Sequence, residues 1–484
     1  MESTAVLHLV SLHGGGVDRH VRDLAAAVAR PHLLWHVGES SEVIENGSAR
    51  RFLPLDPKRI DAEGERIARW LRARGVGLVH LHSTALAARR RVQRLLEQLD
   101  LPLLLTLHDV TFLRPDAFDF DEPRADPAWT AEVAALARRA KTVCAPSAYI
   151  AELARANLEG VAVEVVPNGI APVSERPDHA ARPDFIAKRP SRVAAVLGAV
   201  GGHKGAELLR ELPRHLEGSG IGIVVVGYLD RQLYPGWTED GGLYVHGPYR
   251  PGDAEALLHA YGAEIVLFPN HAPESFSYSL SEAWAAGVPV LAGPRGAIGE
   301  RVRLHGGGWL LDERFDAAEV AERLRSLLDE GNGELAQVRS ALRHPDPARV
   351  PTLQAMAQSL EAYYRRYGAP SEPASADPAS IDALLAPSLD ATLFRSELAH
   401  LADLCDAQGE GPRHARDFEA ESRAWIAKLE GDVRGLQEEL RREFAERTRL
   451  AAEVARLEET AALVRRMPRW MQRVLARMGR HARG

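Results

Sequence analysis

Short apolar runs alternate with longer amphipathic segments along the first 367 residues of the chain. Runs such as 77–82, 102–108 and 264–269 have the length and the continuous apolar character of strands that are buried on both faces. The segments between them, such as 64–75, have apolar residues at helical spacing. Strands that alternate with helices, without an internal repeat, predict an α/β protein with doubly wound parallel sheets.

The bulk composition narrows the class of protein without indicating a function. The 484 residues leave room for two or three domains, and a net charge of −7 gives no case for binding nucleic acid. The two cysteines, Cys144 and Cys405, imply no disulfide framework and fit a reducing compartment. The amino terminus lacks the pattern of a signal peptide, and no run of about 18 apolar residues occurs, so the sequence predicts a cytoplasmic protein.

Residues 264–300 carry the most chemistry and predict a strand, a polar loop, a helix and a second strand. The loop lies at the carboxyl end of a parallel strand, where open α/β sheets bind ligands. Glu274 falls in this loop and Glu282 in the first turn of the helix, whose free N–H groups and dipole suit an anion such as a diphosphate. The local pattern alone leaves two other interpretations open, a capping box between Ser279 and Glu282 and a solvated Glu274.

Two glycine-rich loops, each between a predicted strand and a predicted helix, also suit a ligand with phosphate groups. Gly15 and Gly16 lie in the first loop, where the backbone can approach a ligand closely. Gly201 and Gly202 lie in the second loop, and Lys204 follows them with a charge that adds to the backbone donors. Either loop, taken alone, could also be an ordinary turn.

The sequence PESFSYSLSEAWAAGVPVLAG resembles the E-x7-E motif of family 4 retaining glycosyltransferases of the GT-B fold. The segments GGGVDRHVRDLA, TLHD, VCAPSAYIAEL, VEVVPNGI and GAVGGHKG resemble the same family. This resemblance covers residues 1–367 and implies two Rossmann-like domains that face a cleft. The acceptor-side domain would occupy 1–172 and the nucleotide-sugar domain 173–367, with a last helix at 352–367 that returns to the first domain.

The resemblance implies roles for most of the candidate residues. Glu274 would contact the donor sugar, Glu282 would hold the ribose hydroxyls of the nucleotide, and His108 would position the reacting sugar. Lys204 and the helix N–H groups would stabilise the departing diphosphate, so no metal or cofactor is expected. The leaving phosphate would take the proton of the acceptor, so no enzymatic base is expected. The remaining candidates for the donor site are Gly15, Gly16, Gly201, Gly202, Phe276, Ser277, Tyr249 and Arg295.

Two departures from the family pattern concern the phosphate site. Ser275 and Ser277 flank Phe276, where the family often has glycine, and Ala199 stands where the family commonly has arginine. The resemblance therefore implies a phosphate site with one charge fewer, unless another basic residue such as Arg295 supplies that charge.

The function implied by the resemblance is retaining, metal-independent transfer of a sugar from a nucleotide diphosphate sugar to a glycan or a lipid-linked glycan. The expected setting is bacterial surface polysaccharide such as O-antigen, at the inner face of the cytoplasmic membrane. Two other classes remain open. A GT-B sugar-nucleotide epimerase would use the same donor without an acceptor, and a weakly catalytic scaffold would recruit other assembly enzymes.

Beyond residue 367 the composition changes. Residues 368–416 combine a linker rich in proline, serine and alanine with a short helical segment. Residues 417–467 have apolar residues at heptad positions, which predicts a coiled coil and a homo-oligomer; one long helix packed on the catalytic domains is the alternative. Residues 468–484 predict a basic amphipathic helix on an anionic membrane surface, with a capping segment of the coil or a helix for a partner protein as the alternative.

Overall fold

The computed structural model describes most of the first 369 residues. The described residues are 4–11, 15–37, 42–46, 51–55, 68, 71–72, 74–82, 89–114, 127–171, 183–230, 235–250, 252–344 and 346–369. Most of the predicted helix at 64–75, nearly all of the segment 368–416, and the whole of the predicted coiled coil and terminal helix lie outside these residues. Within the described part of the chain, no helix is both long and apolar enough to cross a lipid bilayer.

The first domain is built on an eight-stranded sheet. Its strands are β1 (Ala5–Ser11), β2 (His32–Val37), β3 (Glu42–Asn46), β4 (Arg51–Leu55), β5 (Val76–His82), β6 (Leu103–Thr106), β7 (Thr142–Ala145) and β8 (Val163–Val165). They lie in the order β4-β3-β2-β1-β5-β6-β7-β8, and the neighbouring pairs from β2 to β8 are parallel. Strands β3 and β4 extend the sheet in antiparallel fashion. Glutamate, arginine and proline interrupt their apolar residues, so the hydrophobic pattern does not predict them.

Helices cover both faces of this sheet. They are α1 (Gly16–Ala27), α2 (Arg89–Leu99), α3 (Val110–Leu113), α4 (Pro127–Arg139) and α5 (Ala148–Asn157). One core packs α2, α4 and α5 against strand residues such as Trp35 and Leu81. The other core lies on the opposite face, where Val6, Leu78 and Leu104 pack against α1 and the last described helix.

The second domain is built on a seven-stranded sheet. Its strands are β9 (Arg192–Val200), β10 (Ile221–Leu229), β11 (Gly236–Trp237), β12 (Leu243–Val245), β13 (Ile265–Phe268), β14 (Val290–Ala292) and β15 (Gly308–Leu310). Their order is β11-β12-β10-β9-β13-β14-β15, parallel except for the pair β11 and β12. The chain adds strands on one side of β9 and then crosses to β13 on its other side. The topological switch point therefore lies between β9 and β13, whose carboxyl ends carry the second glycine-rich loop and the Glu274 loop.

The helices that follow β8 complete this domain and return to the first. They are α6 (Pro183–Ile186), α7 (Ala206–His215), α8 (Ala254–Tyr261), α9 (Tyr278–Ala285), α10 (Gly296–His305), α11 (Ala317–Leu327), α12 (Glu334–Leu342) and α13 (Leu353–Tyr367). Helix α13 packs on the first sheet through Met356, Leu360 and Tyr364. Its Glu361 pairs with Arg30 at 2.7 Å. The predicted α/β class with two Rossmann-like sheets is confirmed.

Candidate functional site

A cavity of about 650 Å³ lies between the two domains, at the carboxyl edges of both sheets. The segments that line it follow β1, β6, β8, β9, β12 and β13. The predicted site residues among its lining are Gly15, Gly16, His108, Lys204, Tyr249, Glu274, Phe276, Ser277 and Glu282. In the described part of the chain, Gly201, Gly202 and Arg295 do not belong to the lining.

Glu282 is buried, and its two carboxylate oxygens have different partners. Oε1 lies 2.6 Å from Nη1 of Arg19, on α1 of the first domain. Oε2 accepts a hydrogen bond from the hydroxyl of Tyr249 at 3.3 Å. Burial alone would lower the pKa of Arg19, but the charge and the hydrogen bond of Glu282 outweigh burial and raise that pKa. Glu282 is thus the point at which α9 of the second domain and α1 of the first domain meet in the cavity.

The capping box between Ser279 and Glu282 does not form. Helix α9 begins at Tyr278, so Ser279 lies inside it, and the N-cap is Ser277, whose Oγ accepts a hydrogen bond from the N–H of Leu280 at 3.4 Å. Ser277 has a φ of 71°, in the left-handed region where a residue with a Cβ is strained. Glu282 therefore starts the second turn of α9, two positions later than in the capping box, and its carboxylate contacts Arg19 instead of the free N–H groups.

Glu274 is paired, so the interpretation of this residue as a solvated acid is wrong. Its Oε1 lies 3.0 Å from Nζ of Lys204 and accepts a hydrogen bond from Nδ2 of Asn270 at 2.9 Å. Burial would raise the pKa of Glu274, but Lys204, together with hydrogen bonds from Ser277 and Asn270, lowers it below its ordinary value. Glu274 in turn raises the pKa of Lys204. Both groups are therefore charged at neutral pH.

The second glycine-rich loop positions Lys204. Gly202–Lys204 forms one turn of 3-10 helix, and Gly205, with a φ of 84°, ends that turn and begins α7. A Cβ at Gly205 would lie 2.3 Å from the carbonyl oxygen of Pro269, so both the left-handed backbone and the close packing on the end of β13 require glycine. Gly201 and Gly202 shape this turn and do not face the cavity.

Both arginines in the lining of the cavity belong to the first domain, and each is paired with an acid, Arg19 with Glu282 and Arg22 with Asp18. Ala199 also lines the cavity. Arg295 instead contacts Glu313, with 3.5 Å between Nε and Oε2, and the carbonyl of His271 at 3.4 Å. The structure therefore does not support Arg295 as the replacement for the missing charge.

A buried arginine on α10, Arg301, holds the backbone just before α9. Its Nη1 donates hydrogen bonds to the carbonyls of Phe276 at 2.9 Å and Ser277 at 3.0 Å, and its Nη2 donates to Oγ of Ser281 at 2.7 Å. Its guanidinium carbon also lies 4.1 Å from the centre of the Phe276 ring. Burial lowers the pKa of Arg301 to about 9, so the side chain is protonated at neutral pH. These contacts fix the direction of the free N–H groups of α9.

A second contact joins the domains beside the cavity. Ser147, the N-cap of α5, donates a hydrogen bond from Oγ to the carbonyl of Ser275 at 2.7 Å. The carboxylate of Glu300, on α10, accepts hydrogen bonds from the N–H of Ala148 at 3.2 Å and from the N–H of Tyr149. An acid of the second domain thus satisfies the positive end of a first-domain helix, a favourable arrangement of charge and dipole.

A cluster of buried histidines lies beneath the cavity, on the face of the first sheet that α1 and α13 cover. It consists of His8, His20, His32, His80, His82 and His108. On this face of the sheet, β1, β5 and β6 each begin with an apolar residue at the amino end. Toward the carboxyl end, histidine or threonine takes the place of apolar residues on the same face. These positions are Val6 then His8, Leu78 then His80 and His82, and Leu104 then Thr106 and His108. The polar part of this face therefore ends at the cavity, with His108.

The members of this histidine cluster are neutral at pH 7. Burial lowers the pKa of His8, His80, His82 and His108 well below the ordinary value, and it lowers the pKa of His20 and His32 to about 4. Neutral imidazoles can hold a transition metal. Two groups bring one ring nitrogen from each member within 4.8 Å of one another, namely His8 with His80 and His82, and His20 with His82 and His108.

Sequence reasoning missed several residues that the structure brings to this site, namely Arg19, Asn270, Tyr278, Arg301, His8 and His32. A local signal exists for Arg19, because it follows the first glycine-rich loop within one helical turn. No local signal marks Arg301, since its partners lie on the preceding loop and helix at 276–281. The histidines of β1 and β2 are recognisable only when the sheet order places β1 between β2 and β5.

Two known families match consecutive parts of the chain. The family described as Glycosyltransferase Family 4 matches residues 14–173, and the family described as Glycosyl transferases group 1 matches residues 180–342. None of the curated protein sequences compared with the chain matches it significantly.

Solved structures of similar fold cover about three quarters of the chain. HepE of Anabaena, in complex with UDP and glucose, covers 75% of this chain and 100% of its own, with 17% identity and a TM-score of 0.54. Sucrose-phosphate synthase of Thermosynechococcus elongatus covers 75% and 98%, with 17% identity and a TM-score of 0.53. The catalytic domain of starch synthase IV of Arabidopsis thaliana, bound to ADP and acarbose, covers 76% and 99%, with 11% identity and a TM-score of 0.51. At these identities the likeness concerns the fold.

Proposed function

The chain is a GT4-type glycosyltransferase of the GT-B fold, and from this premise we propose that it transfers a sugar, with retention of configuration, from a nucleotide diphosphate sugar to a glycan or a lipid-linked glycan. The observation that carries the proposal is the distinct pairing of two carboxylates in one cavity. Glu274 pairs with Lys204 at the switch point of the second sheet, and Glu282 pairs with Arg19 across the cleft.

An extended donor fits the order of these groups. The N-terminus of α9 has free N–H groups and the positive end of the helix dipole, and Lys204 adds a full positive charge close by. A diphosphate bound there would direct its sugar towards Glu274 and His108 and its ribose towards Glu282 and Tyr249. Carboxylates accept hydrogen bonds from sugar hydroxyls, which explains why acids can line a site for an anionic donor.

The chemistry follows from where charge develops. As the bond between the anomeric carbon and the phosphate oxygen breaks, the sugar becomes positive and the diphosphate gains negative charge. Lys204 and the N–H groups of α9 stabilise the departing diphosphate, and the ionised Glu274 lies on the side of the positive sugar. The leaving phosphate accepts the proton of the attacking hydroxyl on the same face of the sugar. No enzymatic base is assigned in this proposal.

The nucleotide base needs a direct test, because structures of this fold hold different nucleotides. The HepE structure contains UDP, whereas the starch synthase IV structure contains ADP. Isothermal titration with UDP, GDP, ADP, dTDP and CMP, repeated on Glu282→Ala, tests the donor site. We expect one nucleotide to bind selectively and the variant to lose that binding. Glu334→Ala is the matched control, since Glu334 is an exposed acid that pairs with Arg323 at 3.7 Å, away from the cavity.

Product analysis with the selected sugar nucleotide separates the reaction classes. A transferase releases nucleoside diphosphate and forms a glycoside, whereas an epimerase returns an altered sugar nucleotide and needs no acceptor. Failure of the folded protein to bind any of the nucleotides would contradict the proposal and favour a scaffold.

The biological setting we propose is synthesis of a bacterial surface polysaccharide, similar to O-antigen, at the inner face of the cytoplasmic membrane. Its support comes from the GAVGGHKG segment, which resembles a bacterial surface-polysaccharide branch of the family, and from the amphipathic basic pattern at 468–484. The heptad pattern at 417–467 supports a homo-oligomer. Liposome flotation of the full chain and of a variant that ends at residue 467 tests whether residues 468–484 make the membrane contact, a role that is ruled out if both float equally with anionic vesicles.

A further inference from the structure

Four members of the histidine cluster form a continuous chain of hydrogen bonds that ends at the cavity. Nε2 of His108 lies 3.0 Å from Nδ1 of His82, and Nε2 of His82 lies 2.9 Å from Nδ1 of His8. Nε2 of His8 lies 2.8 Å from Nδ1 of His32, and Nε2 of His32 lies 3.3 Å from the carbonyl oxygen of Val28. The chain therefore joins a cavity residue to a backbone carbonyl at the end of α1.

The last contact sets the direction of all the others. A carbonyl oxygen accepts but never donates, so Nε2 of His32 carries a proton there. A neutral imidazole has one donor and one acceptor nitrogen, so Nδ1 of His32 accepts from Nε2 of His8. By the same step Nδ1 of His8 accepts from Nε2 of His82. Nδ1 of His82 then accepts from Nε2 of His108.

These hydrogen-bond directions hold only if each ring is neutral, and burial provides that condition. A single protonated ring could donate at both nitrogens and still satisfy its neighbours, so hydrogen-bond geometry alone does not exclude it. All four rings are buried, however, and isolated charge is costly in that environment. Burial is the largest influence on each of them, and it lowers the pKa of every one below neutral pH.

We propose that the carbonyl of Val28, acting through His32, His8 and His82, fixes His108 in the tautomer that has its proton on Nε2 and a lone pair on Nδ1. His8, His32 and His82 are then positioning residues for His108. The tautomer follows from the hydrogen bonds together with the burial of the four rings, whereas its consequence for sugar transfer rests on the proposed function.

The consequence concerns what His108 can do towards a ligand. In this tautomer Nδ1 can only accept a hydrogen bond, and the proton on Nε2 is donated to His82, so the side chain can neither donate to a phosphate oxygen nor act as a general acid. The chain also cannot conduct a proton out of the cavity, because it ends at an amide carbonyl. It fixes the orientation and the tautomer of a ring, as the partners of ligand histidines do at other sites.

A metal ion on His20, His82 and His108 is the competing arrangement. Both ring nitrogens of His82 take part in the hydrogen-bonded chain, so coordination of a metal by either of them would break one of its hydrogen bonds. The two arrangements differ in metal content, which can be measured on the purified protein by mass spectrometry. One equivalent of bound zinc or another transition metal would overturn the proposal.

The tautomer of His108 can be tested directly, without a measurement of enzymatic activity. In the full chain labelled with ¹⁵N-histidine, long-range ¹H–¹⁵N spectra separate protonated from unprotonated ring nitrogens. Loss of one resonance in His108→Gln assigns His108 among the 19 histidines. We expect His108 to have a protonated Nε2 and an unprotonated Nδ1. A protonated Nδ1, or a cationic ring at pH 7.5, would overturn the proposal even if the protein proves to be an active transferase.

A pair of variants at the far end of the chain tests the coupling. His32→Gln keeps an acceptor and a donor at this position, whereas His32→Leu removes both, and His32 is not among the residues that line the cavity. We expect His32→Leu to give His108 mixed tautomers and a kcat lower by roughly 3- to 10-fold, the effect of one net hydrogen bond, while His32→Gln restores both. A loss of stability with an unchanged His108 spectrum would show a merely structural role and overturn the coupling. If His32→Leu does not fold, the spectrum of the unaltered protein still decides the tautomer.

Discussion

Arg19 and Glu282 form an ion pair across the cleft, with 2.6 Å between Nη1 and Oε1, although they are 263 positions apart in the sequence. Both side chains are largely buried. The guanidinium also covers the ring of Tyr278, with its central carbon 4.4 Å from the ring centre. The carboxylate proposed to hold the ribose therefore depends on a residue of the other domain for its charge balance and its orientation.

Replacing Arg19 by alanine is expected to lower kcat/KM for the donor by roughly 10- to 100-fold, because Glu282 then lacks its partner and the cavity loses a cation. The free energy of unfolding should also decrease by on the order of 3 kcal/mol, since a buried carboxylate is left unpaired. Steady-state kinetics and denaturant unfolding measure the two effects. Arg365→Ala is the matched control: it removes an exposed arginine that pairs with Glu361 at 2.9 Å, outside the cavity. Equal effects of the two substitutions would contradict the role given to Arg19.

Glu274→Gln keeps the shape of the side chain and removes its charge. We expect kcat to fall by roughly 100- to 1,000-fold, the range seen when one group that stabilises a transition state is removed, with less change in the KM of the donor. The amide can still contact sugar hydroxyls, but it cannot balance positive charge on the sugar. It also leaves Lys204 without its partner at 3.0 Å.

Lys204→Met distinguishes the contribution of Lys204 from that of Glu274, because it removes the positive charge of this pair while Glu274 stays in place. We expect the kcat of Lys204→Met to fall as well, and the double variant to be less impaired than the product of the single effects, since the two residues act as one unit. Fully multiplicative losses would show that Glu274 and Lys204 act independently. Glu334→Gln, at an exposed acid far from the cavity, should behave as the unaltered enzyme.

Much of this site could be predicted from local sequence. An apolar run, a polar loop and a glycine after the helix predict β13, the end of α9 and the strand β14, and they place Glu274 correctly in the loop. The contact between Arg19 and Glu282 could not be predicted, because it depends on how two domains meet. The capping box failed for a different reason: Ser277 adopts a left-handed backbone and becomes the N-cap, so the helix begins earlier than the Ser-x-x-Glu pattern indicates.

Substitutions of Ser277 test that left-handed backbone conformation directly. Glycine at this position avoids a steric cost of roughly 1 kcal/mol and loses only a few tenths as an N-cap. Alanine keeps the steric cost and loses about 1 kcal/mol of capping. We therefore expect Ser277→Gly to be more stable than Ser277→Ala in denaturant unfolding. Ser359, which is exposed within α13, is the control position. There we expect the opposite order, with the alanine variant more stable than the glycine variant by about 1 kcal/mol. The same order at both positions would contradict a strained Ser277.

Transfer is expected to continue after treatment with EDTA. In the proposed mechanism Lys204 and the N–H groups of α9 supply the positive charge that a metal would otherwise bring to the diphosphate. The measurement is the initial rate of nucleotide release before and after chelation and gel filtration. Loss of activity that Mg²⁺ or Mn²⁺ restores would contradict this expectation and place a metal on the diphosphate.

The histidine cluster predicts that the protein loses stability as the pH falls below about 6.5, before most carboxylates titrate. In the folded protein burial holds the pKa of His20 and His32 at about 4, and it holds those of the other members well below the ordinary value. The unfolded chain therefore binds more protons between pH 6.5 and 4, and the free energy of unfolding decreases as the pH falls through this window.

Each histidine with a folded pKa near 4 contributes a loss of up to about 3 kcal/mol by pH 4, at about 1.4 kcal/mol for each pH unit. Denaturant unfolding at pH 7.5, 6.5, 5.5 and 5.0 measures the slope. His20→Asn should make it shallower, because one group no longer takes up a proton on unfolding. His344→Asn is the control, since His344 is an exposed histidine outside the cluster. An unchanged slope in His20→Asn would mean that His20 takes up its proton in the folded protein too, so that the neutrality inferred for the cluster does not hold.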